Sequence, residues 1–389
     1  MNDIKPNTKP ACINFSSGPC TKRPGWSVNS LNGALLGRSH RSKFGKEKLQ
    51  NSISQTIDLL KIPKNYKVGI VAGSDTGAIE MAMWNLLGSR PVEILAWEVF
   101  GNDWKKDILE QLKIKDSNTH VADFGKIPDL SKVNFNNDVI FTWNGTTSGV
   151  RVPNANWIPS KREGLVLCDA TSAVFAQNVE WEKLDVVTFS WQKVLGGEAA
   201  HGIIVLSPKA IEHLEKFSPS WPIPKIFRLT KSNKVIEGVF KGETLNTPSM
   251  LCVEDYLDAL NWVDEIGGLE ACIKRANDSF DFINTWVSDS SSIDFLCQET
   301  INRSNTSVCL KFKDNRVINL DEDAQRNLAK EIGILLEREG VALDIVNHRS
   351  APPGLRIWTG ATVEPTDVSA LLPWIDWAYN HAFNEIIGK

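Results

Sequence analysis

The stretch YKVGIVAGSDTGAIEMAMWNLLG at residues 66–88 changes its pattern of apolar residues part-way along. Its beginning, YKVGIVAG at 66–73, is β-rich and predicts a strand. The part from Thr76 onward places apolar side chains at helical spacing and predicts an amphipathic helix. The stretch therefore predicts a strand, a turn of small residues and a helix.

The same alternation continues on the C-terminal side, as far as about Ser207. VEILAWEV at 92–99 predicts a second strand, and NDWKKDILEQLK at 102–113 predicts the helix that follows it. Four further apolar runs are typical of strands buried on both faces: DVIFTWN at 138–144, GLVLCDAT at 164–171, DVVTFSW at 185–191 and GIIVLS at 202–207. The alternation predicts an α/β fold with a mostly parallel central sheet.

After Met250 the pattern changes to long helical stretches with strands between them. Helices are predicted for EDYLDALNWVDEIG, GLEACIKRANDSFDFINTWVSD, EDAQRNLAKEIGILLEREG and a terminal segment from about Pro365, and strands for SVCLKF, VALDIV and GLRIWTG. This segment predicts a smaller C-terminal α+β domain. We expect an N-terminal arm at 1–15, a large α/β domain at 16–255 and a small domain at 256–389.

Composition excludes several classes of protein. The 389 residues carry 43 Lys+Arg against 47 Asp+Glu, a net charge of −4, which gives no general attraction to nucleic acid or an anionic membrane. The start, MNDIKPNTKPACINF, lacks the apolar core of a signal peptide, and no apolar run reaches the roughly 18 residues of a membrane helix. The seven cysteines are scattered without a C-x-x-C pair, so we expect no disulfide framework, no metal site and a cytoplasmic protein.

Asp169 and Lys193 each follow an apolar strand. In an open α/β sheet, ligands bind at the carboxyl ends of the strands. A lysine and an aspartate there suit pyridoxal phosphate, because the lysine amine bonds the cofactor aldehyde and the aspartate pairs with the ring nitrogen. From spacing alone, an exposed loop lysine and a helix-capping aspartate are at least as good an interpretation.

The turn VAGSDTGAIEM at 71–81 is a second candidate site. Small residues between a strand and a helix direct backbone N–H groups at an anion. Ser74, Asp75 and Thr76 lie at the start of the helix. Capping residues also open many helices that bind nothing, so the turn alone does not decide the matter.

Two His-Arg dipeptides form a third signal: His40-Arg41 in a non-periodic loop and His348-Arg349 before a strand. Guanidinium and imidazolium groups match phosphate oxygens. Arg356 lies in the otherwise apolar strand GLRIW, where an unpaired charge is costly, so a carboxylate partner is expected. Surface loops and one structural ion pair are the alternative.

In their order along the chain, nine segments resemble those of the phosphoserine aminotransferases, a family of class V, fold-type I pyridoxal-phosphate enzymes. They are SSGPC at 16–20, SHRSK at 39–43, AGSDTGAIEM at 72–81, FGNDW at 100–104, NGTTSGV at 144–150, CDATSA at 168–173, SWQK at 190–193, TLNTPSM at 244–250 and NHRSAPPGLR at 347–356. The resemblance implies transfer of the amino group of L-glutamate to 3-phosphohydroxypyruvate, giving O-phospho-L-serine and 2-oxoglutarate. The related step of pyridoxine biosynthesis, at 4-phosphohydroxy-L-threonine, is left open.

The resemblance also implies roles for the residues that match the family's motifs. Lys193 would bond the cofactor and move the proton, and Asp169 would hold the ring nitrogen. Trp104 would stack on the ring, with Phe100 as the alternative, and Thr146 would lie at the ring's phenolic edge. Around the cofactor phosphate the resemblance places Ser74, Asp75, Thr76 and Gln192.

Two further sets of residues follow from the same resemblance. Asn246 and Thr247 would reach the cofactor phosphate from a second subunit, which implies a homodimer with shared active sites. Arg356 would bind the substrate α-carboxylate. Around the substrate phosphate, or the distal carboxylate of glutamate, the resemblance places His40, Arg41, His348 and Arg349.

Two rivals remain at this point. Another class V enzyme, such as a serine– or alanine–glyoxylate aminotransferase, has substrates without a phosphate and so little need for the two His-Arg pairs. A cofactor-free binding protein on the same fold would have no need for Lys193 together with Asp169.

Overall fold

The protein is described by a computed structural model of residues 4–386, in which fourteen strands form four sheets. The strands are β1 (Lys67–Ala72), β2 (Val92–Ala96), β3 (Ser117–Val121), β4 (Asp138–Thr142), β5 (Asn144–Gly145), β6 (Val150–Arg151), β7 (Val166–Asp169), β8 (Val186–Ser190), β9 (His201–Leu206), β10 (Thr230–Lys231), β11 (Lys234–Val235), β12 (Ile293–Phe295), β13 (Ser307–Phe312) and β14 (Leu355–Trp358). The central sheet has seven strands in the order β1-β9-β8-β7-β4-β2-β3.

The central sheet is parallel from β8 through β7, β4 and β2 to β3, and β9 pairs antiparallel with both β1 and β8. The predicted mostly parallel sheet is confirmed. Thr142, Asp169 and Thr188 lie side by side across β4, β7 and β8. Polar side chains therefore meet at the carboxyl ends of three neighbouring strands.

The strand sequences are continuously apolar because both faces of the sheet are covered. Successive residues point to opposite faces of a strand. On β7, Leu167 packs into one hydrophobic cluster and Cys168 into another, and on β9 Ile204 and Ile203 divide in the same way. Each side of the sheet therefore has its own buried layer.

Helices cover the sheet and build the C-terminal part of the chain. They are α1 (Lys43–Leu59), α2 (Ser74–Leu86), α3 (Val99–Lys106), α4 (Pro208–Lys216), α5 (Met250–Glu265), α6 (Gly268–Asp289), α7 (Asn315–Ile318), α8 (Glu322–Arg338) and α9 (Pro365–Ile386). Helix α2 packs against β8 and β9. Within residues 4–386, no helix has both the length and the apolar character needed to cross a membrane.

The C-terminal part contains an antiparallel sheet, β12-β13-β14, and helix α9 packs against α6 and α8. The N-terminal segment lies against this part of the chain, since the Leu343 N–H donates to the Ile13 carbonyl (2.9 Å) and the Trp358 N–H to the Phe15 carbonyl (3.1 Å). The division at 15/16 and 255/256 stays a prediction, and the second boundary falls inside α5.

Among the differences from the sequence predictions, two concern the signal that predicts a strand. Edge strand β3, SNTHV, was not predicted, because it is short, polar and half-exposed. The strand predicted for VALDIV at 341–346 is wrong. Asp344 has φ of 55°, a left-handed conformation that interrupts extended backbone, and only isolated bridges form at Leu343 and Val346.

Candidate functional site

A solvent-open cleft of about 480 Å³ lies at the carboxyl ends of β4, β7 and β8, beside the N-terminus of α2. Eight of the predicted site residues line it: Ser74, Asp75, Thr76, Trp104, Thr146, Asp169, Gln192 and Lys193. Phe100, the alternative stacking ring, also lines it. The topology thus brings together residues that are up to 119 positions apart in the sequence, from Ser74 to Lys193.

Lys193 enters the cleft from the turn after β8. Its Nζ donates to the carbonyl oxygen of Ser17, and the Cys20 N–H donates to the Gln192 carbonyl (2.9 Å), so the segment 16–20 lies over the lysine. A Cβ on Gly18 would lie 2.6 Å from Nζ, so any other residue there would make the lysine side chain shift. Burial lowers the pKa of Lys193, and the positive charge of Arg356 lowers it further. A neutral amine therefore forms more easily than on a surface lysine.

Asp169 ends β7 and is buried in the floor of the cleft. Its Oδ2 accepts a hydrogen bond from Trp104 Nε1 (3.2 Å), and its Oδ1 accepts one from the Thr171 N–H (3.0 Å). Burial raises the pKa of Asp169, whereas hydrogen bonds to its charged form oppose that effect. The carboxyl is therefore held in a fixed position by donors on α3 and on its own turn.

The N-terminus of α2 presents free backbone donors to the cleft. Gly73 and Ser74 have φ of 85° and 54°, and this left-handed turn starts the helix. Within residues 4–386, no acceptor takes the N–H groups of Asp75 and Thr76. Such a helix N-terminus favours an anion.

Asp75 lines the cleft with Ser74 and Thr76, and its side chain lies beside Asp169. It is buried within hydrogen-bonding reach of the Asp169 carboxyl. Burial, followed by the charge of Asp169, raises its pKa well above the usual value. Asp75 is thus paired with the residue predicted for the opposite end of the cofactor.

Several polar residues of the cleft were missed from the sequence. Thr146 Oγ1 and Asn144 Nδ2 both donate to Ser172 Oγ (3.0 and 2.8 Å), and Thr306 Oγ1 donates to the Ser172 carbonyl (2.8 Å). This buried network joins the cleft to the chain beside β13. Asn144 and Ser172 stand in the quoted motifs NGTTSG and CDATSA, which was the available signal.

Glu98 was also missed, although it lines the cleft. Its Oε1 accepts from the Gly101 N–H (2.7 Å) at the start of α3, and its Oε2 accepts from Thr147 Oγ1 (2.9 Å). Burial raises the pKa of Glu98 to about 7, although these hydrogen bonds oppose the shift. Glu98 fixes the start of the helix that carries Phe100 and Trp104.

Arg356 lies on β14, and its charge acts on both Lys193 and Cys20. No carboxylate of residues 4–386 serves as the expected partner of Arg356. Within residues 4–386 its guanidinium forms no ion pair, and its buried Nε has no hydrogen-bond partner. Burial, and then the charges of Arg356 and Arg349, lower the pKa of His348, which places these three basic residues together. A half-buried guanidinium without an ion pair is suited to an anionic ligand.

No family model matches the chain. It is 53% identical to a phosphoserine aminotransferase of Methanosarcina mazei over 377 residues, covering 97% of this chain and 99% of the relative. The corresponding protein of Methanosarcina barkeri is 52% identical with the same coverage. The chain belongs to the phosphoserine aminotransferase family.

The solved structure of a phosphoserine aminotransferase from Cytophaga hutchinsonii has the same fold, with a TM-score of 0.81. It is 22% identical and is matched over 97% of this chain and 99% of its own. The predictions of family, fold class, aminotransferase function and pyridoxal phosphate as cofactor are confirmed. Both rivals, another class V enzyme and a cofactor-free binding protein, are disfavoured by this identity.

The cleft fits the cofactor of the phosphoserine aminotransferase family. An amine, a buried carboxyl and a helix N-terminus with free N–H groups face one space. Two buried polar atoms of the cleft lining, Gln192 Oε1 and Thr171 Oγ1, have no partner and remain for a ligand. The amine suits the aldehyde of the cofactor, the carboxyl suits its ring nitrogen, and the helix N-terminus suits its phosphate.

Four predicted site residues lie elsewhere in the single chain. His40 and Arg41, in the turn before α1, line a surface pocket of about 580 Å³ with Thr244 and Glu243. Asn246 and Thr247 follow in the same segment and do not line the cleft of Lys193. One chain alone therefore does not bring these four residues to the cleft.

Proposed function

We propose that the protein transfers the amino group of L-glutamate to 3-phosphohydroxypyruvate and releases O-phospho-L-serine and 2-oxoglutarate. The observation that carries this proposal is the meeting of Lys193 and Asp169 in one cleft, with an unpaired guanidinium at Arg356 close by. Family membership supports the choice of substrates. The pyridoxine-related substrate stays a prediction.

Bound pyridoxal phosphate supplies an aldehyde that takes up an amino group and a ring that withdraws electrons. Lys193 Nζ is the amine positioned for the aldehyde, and it then holds and moves the proton of the substrate α-carbon. Asp169 binds the protonated ring nitrogen. Thr146 and an aromatic ring, Trp104 or Phe100, enclose the ring of the cofactor. Its phosphate is assigned to the α2 N-terminus with the side chains of Ser74, Thr76 and Gln192.

The basic residues divide between the two ends of the substrate. Arg356 is assigned to the α-carboxylate, because its half-buried guanidinium has no ion pair and its buried Nε has no hydrogen-bond partner among residues 4–386. His348 and Arg349 are assigned to the phosphate, or to the distal carboxylate of glutamate. Both substrates then occupy one site in turn, since each has an α-carboxylate and a distal anion.

The distal phosphate should dominate the choice of keto acid. A glutamate-coupled assay should give a kcat/KM for 3-phosphohydroxypyruvate at least about a hundredfold above that for hydroxypyruvate, because each charge-assisted hydrogen bond contributes about 1.5–3 kcal/mol. Arg349→Ala should narrow this difference. Equal rates with the two keto acids would instead favour a class V enzyme without a phosphate substrate.

We also infer that the protein works as a homodimer with shared active sites. The positions of His40, Arg41, Asn246 and Thr247 away from the cleft support a role in a neighbouring subunit's site. An apolar surface supports the dimer as well. Its exposed members include Val28 (75% exposed), Leu36 (59%) and Leu251 (41%), and they border one groove.

Mixing two inactive variants tests this sharing. Lys193→Ala and Arg41→Ala proteins, unfolded together and refolded in equal amounts, should recover about a quarter of the wild-type sites, because half the dimers are mixed and each has one intact site. Each variant refolded alone is the control. If Arg41 served the cleft of its own chain, the mixed sample would stay inactive.

A cytoplasmic location is proposed on chemical grounds. All seven cysteines are free thiols in the structure, and five of them are buried. Unpaired cysteines are typical of a reducing compartment.

A further inference from the structure

The Asp75 carboxyl has no role in the proposed function. It is 6% exposed, beside an Asp169 that is 8% exposed. Its Oδ1 has no hydrogen-bond partner, and within residues 4–386 neither carboxyl forms an ion pair with a cation. Burying a second carboxyl at this position lowers the stability of the fold unless the group is paired or hydrogen-bonded.

Two neighbouring carboxyls in a buried site cannot both be ionised, so they share a proton. The surroundings decide where the proton lies. Asp169 accepts N–H groups from Trp104 and Thr171 and feels the positive charge of Lys193, all of which favour its carboxylate form. Asp75 has no N–H donor among residues 4–386. The hydroxyls of Thr171 and Thr188 favour its charged form, but burial and the charge of Asp169 outweigh them and raise its pKa, so Asp75 is the group left to carry the proton.

We propose that Asp75 is a positioning residue for the ring-nitrogen end of the cofactor: its protonated carboxyl donates a hydrogen bond to Asp169 and keeps Asp169 ionised. This inference rests on the proposed role of Asp169. It replaces the sequence-based placement of Asp75 at the cofactor phosphate, where an acidic side chain would oppose a dianion.

The consequence concerns the proton on the ring nitrogen. Hydrogen bonding to a carboxylate stabilises its charged form and makes it a weaker base. Asp169 then takes the proton from the ring nitrogen less readily, and the ion pair between them persists. The hydrogen bond from Asp75 acts in this sense, since it lowers the pKa of Asp169 against the larger effect of burial, which raises it.

Cofactor release from the holoenzyme tests this proposal. The loss of the visible band on dilution is followed for Asp75→Asn and Asp75→Ala, loaded with either pyridoxal phosphate or its 1-deaza analogue, which lacks the ring nitrogen. Asp75→Ala should release pyridoxal phosphate about tenfold to a hundredfold faster than wild type. Asp75→Asn keeps a donor and should stay within about threefold of wild type.

The analogue distinguishes a positioning role from a general loss of structure, because the release rates of the two cofactors are compared within the same variant. With the deaza analogue, Asp75→Ala and wild type should release at the same rate. The proposal would be overturned if Asp75→Asn released pyridoxal phosphate as fast as Asp75→Ala. It would also be overturned if Asp75→Ala released both cofactors faster than wild type by the same factor.

Asp169→Ala separates this inference from the proposed function. This variant should release pyridoxal phosphate faster than wild type and release the analogue at the wild-type rate. If it affects both cofactors alike, the role proposed for Asp169 fails. If Asp169→Ala speeds the release of pyridoxal phosphate but not of the analogue, and Asp75→Ala shows no such difference, only the inference on Asp75 fails.

Discussion

Replacing Lys193 by alanine should lower kcat for the glutamate-dependent reaction by at least about a thousandfold, because covalent and proton-transfer catalysis are lost together. The fold should persist. Lys193 Nζ has one hydrogen bond, to the Ser17 carbonyl, so its removal costs about 1–3 kcal/mol of the free energy of unfolding. A coupled assay measures the rate, and borohydride reduction of the purified protein shows whether the cofactor becomes attached.

Lys209→Ala is a matched control for this variant. Burial lowers the pKa of Lys209 too, and its Nζ donates to the carbonyls of Arg162 (3.0 Å) and Gly164 (2.6 Å), outside the cleft. It should lose some stability but keep activity and borohydride attachment. Turnover by Lys193→Ala at the wild-type rate would contradict the assignment.

The sequence predicts the central sheet well because burial on both faces leaves a strong signal. Strands β4, β7, β8 and β9 are buried along their whole length, and each lies within a continuous apolar run. Edge strand β3 is half-exposed, and its polar sequence is typical of a loop. The strand expected at 341–346 fails because one left-handed residue, Asp344, decides the backbone there, which apolar periodicity does not register.

The candidate site is predictable to the extent that topology alone fixes it. Asp169 and Lys193 were placed in one cleft because both follow apolar strands of the same sheet. The pairing of Asp75 with Asp169 and the missing partner of Arg356 depend on the directions of side chains from different elements. No spacing in the sequence encodes those directions.

Arg356→Gln should raise the KM for both glutamate and O-phospho-L-serine by about a hundredfold, since both carry the α-carboxylate that a guanidinium binds through two hydrogen bonds. Arg356→Lys should recover only part of this affinity, because an ammonium lacks the planar pair of donors. Arg349→Ala, in contrast, should act on the phosphorylated substrate more than on hydroxypyruvate. Steady-state kinetics with each substrate separate these effects.

The stability of Arg356→Gln provides the decisive comparison. Substitution of a structural arginine removes its ion pair, but Arg356 has none among residues 4–386. The free energy of unfolding of Arg356→Gln should therefore lie within about 1 kcal/mol of the wild-type value or above it. Arg275, which pairs with Glu364 (3.2 Å) and donates to the Ala361 carbonyl (2.7 Å), gives the opposite result. Arg275→Gln should lower stability by about 1 kcal/mol or less and leave KM unchanged. An Arg356→Gln protein with unchanged KM for glutamate would show that this guanidinium serves the fold and not the substrate.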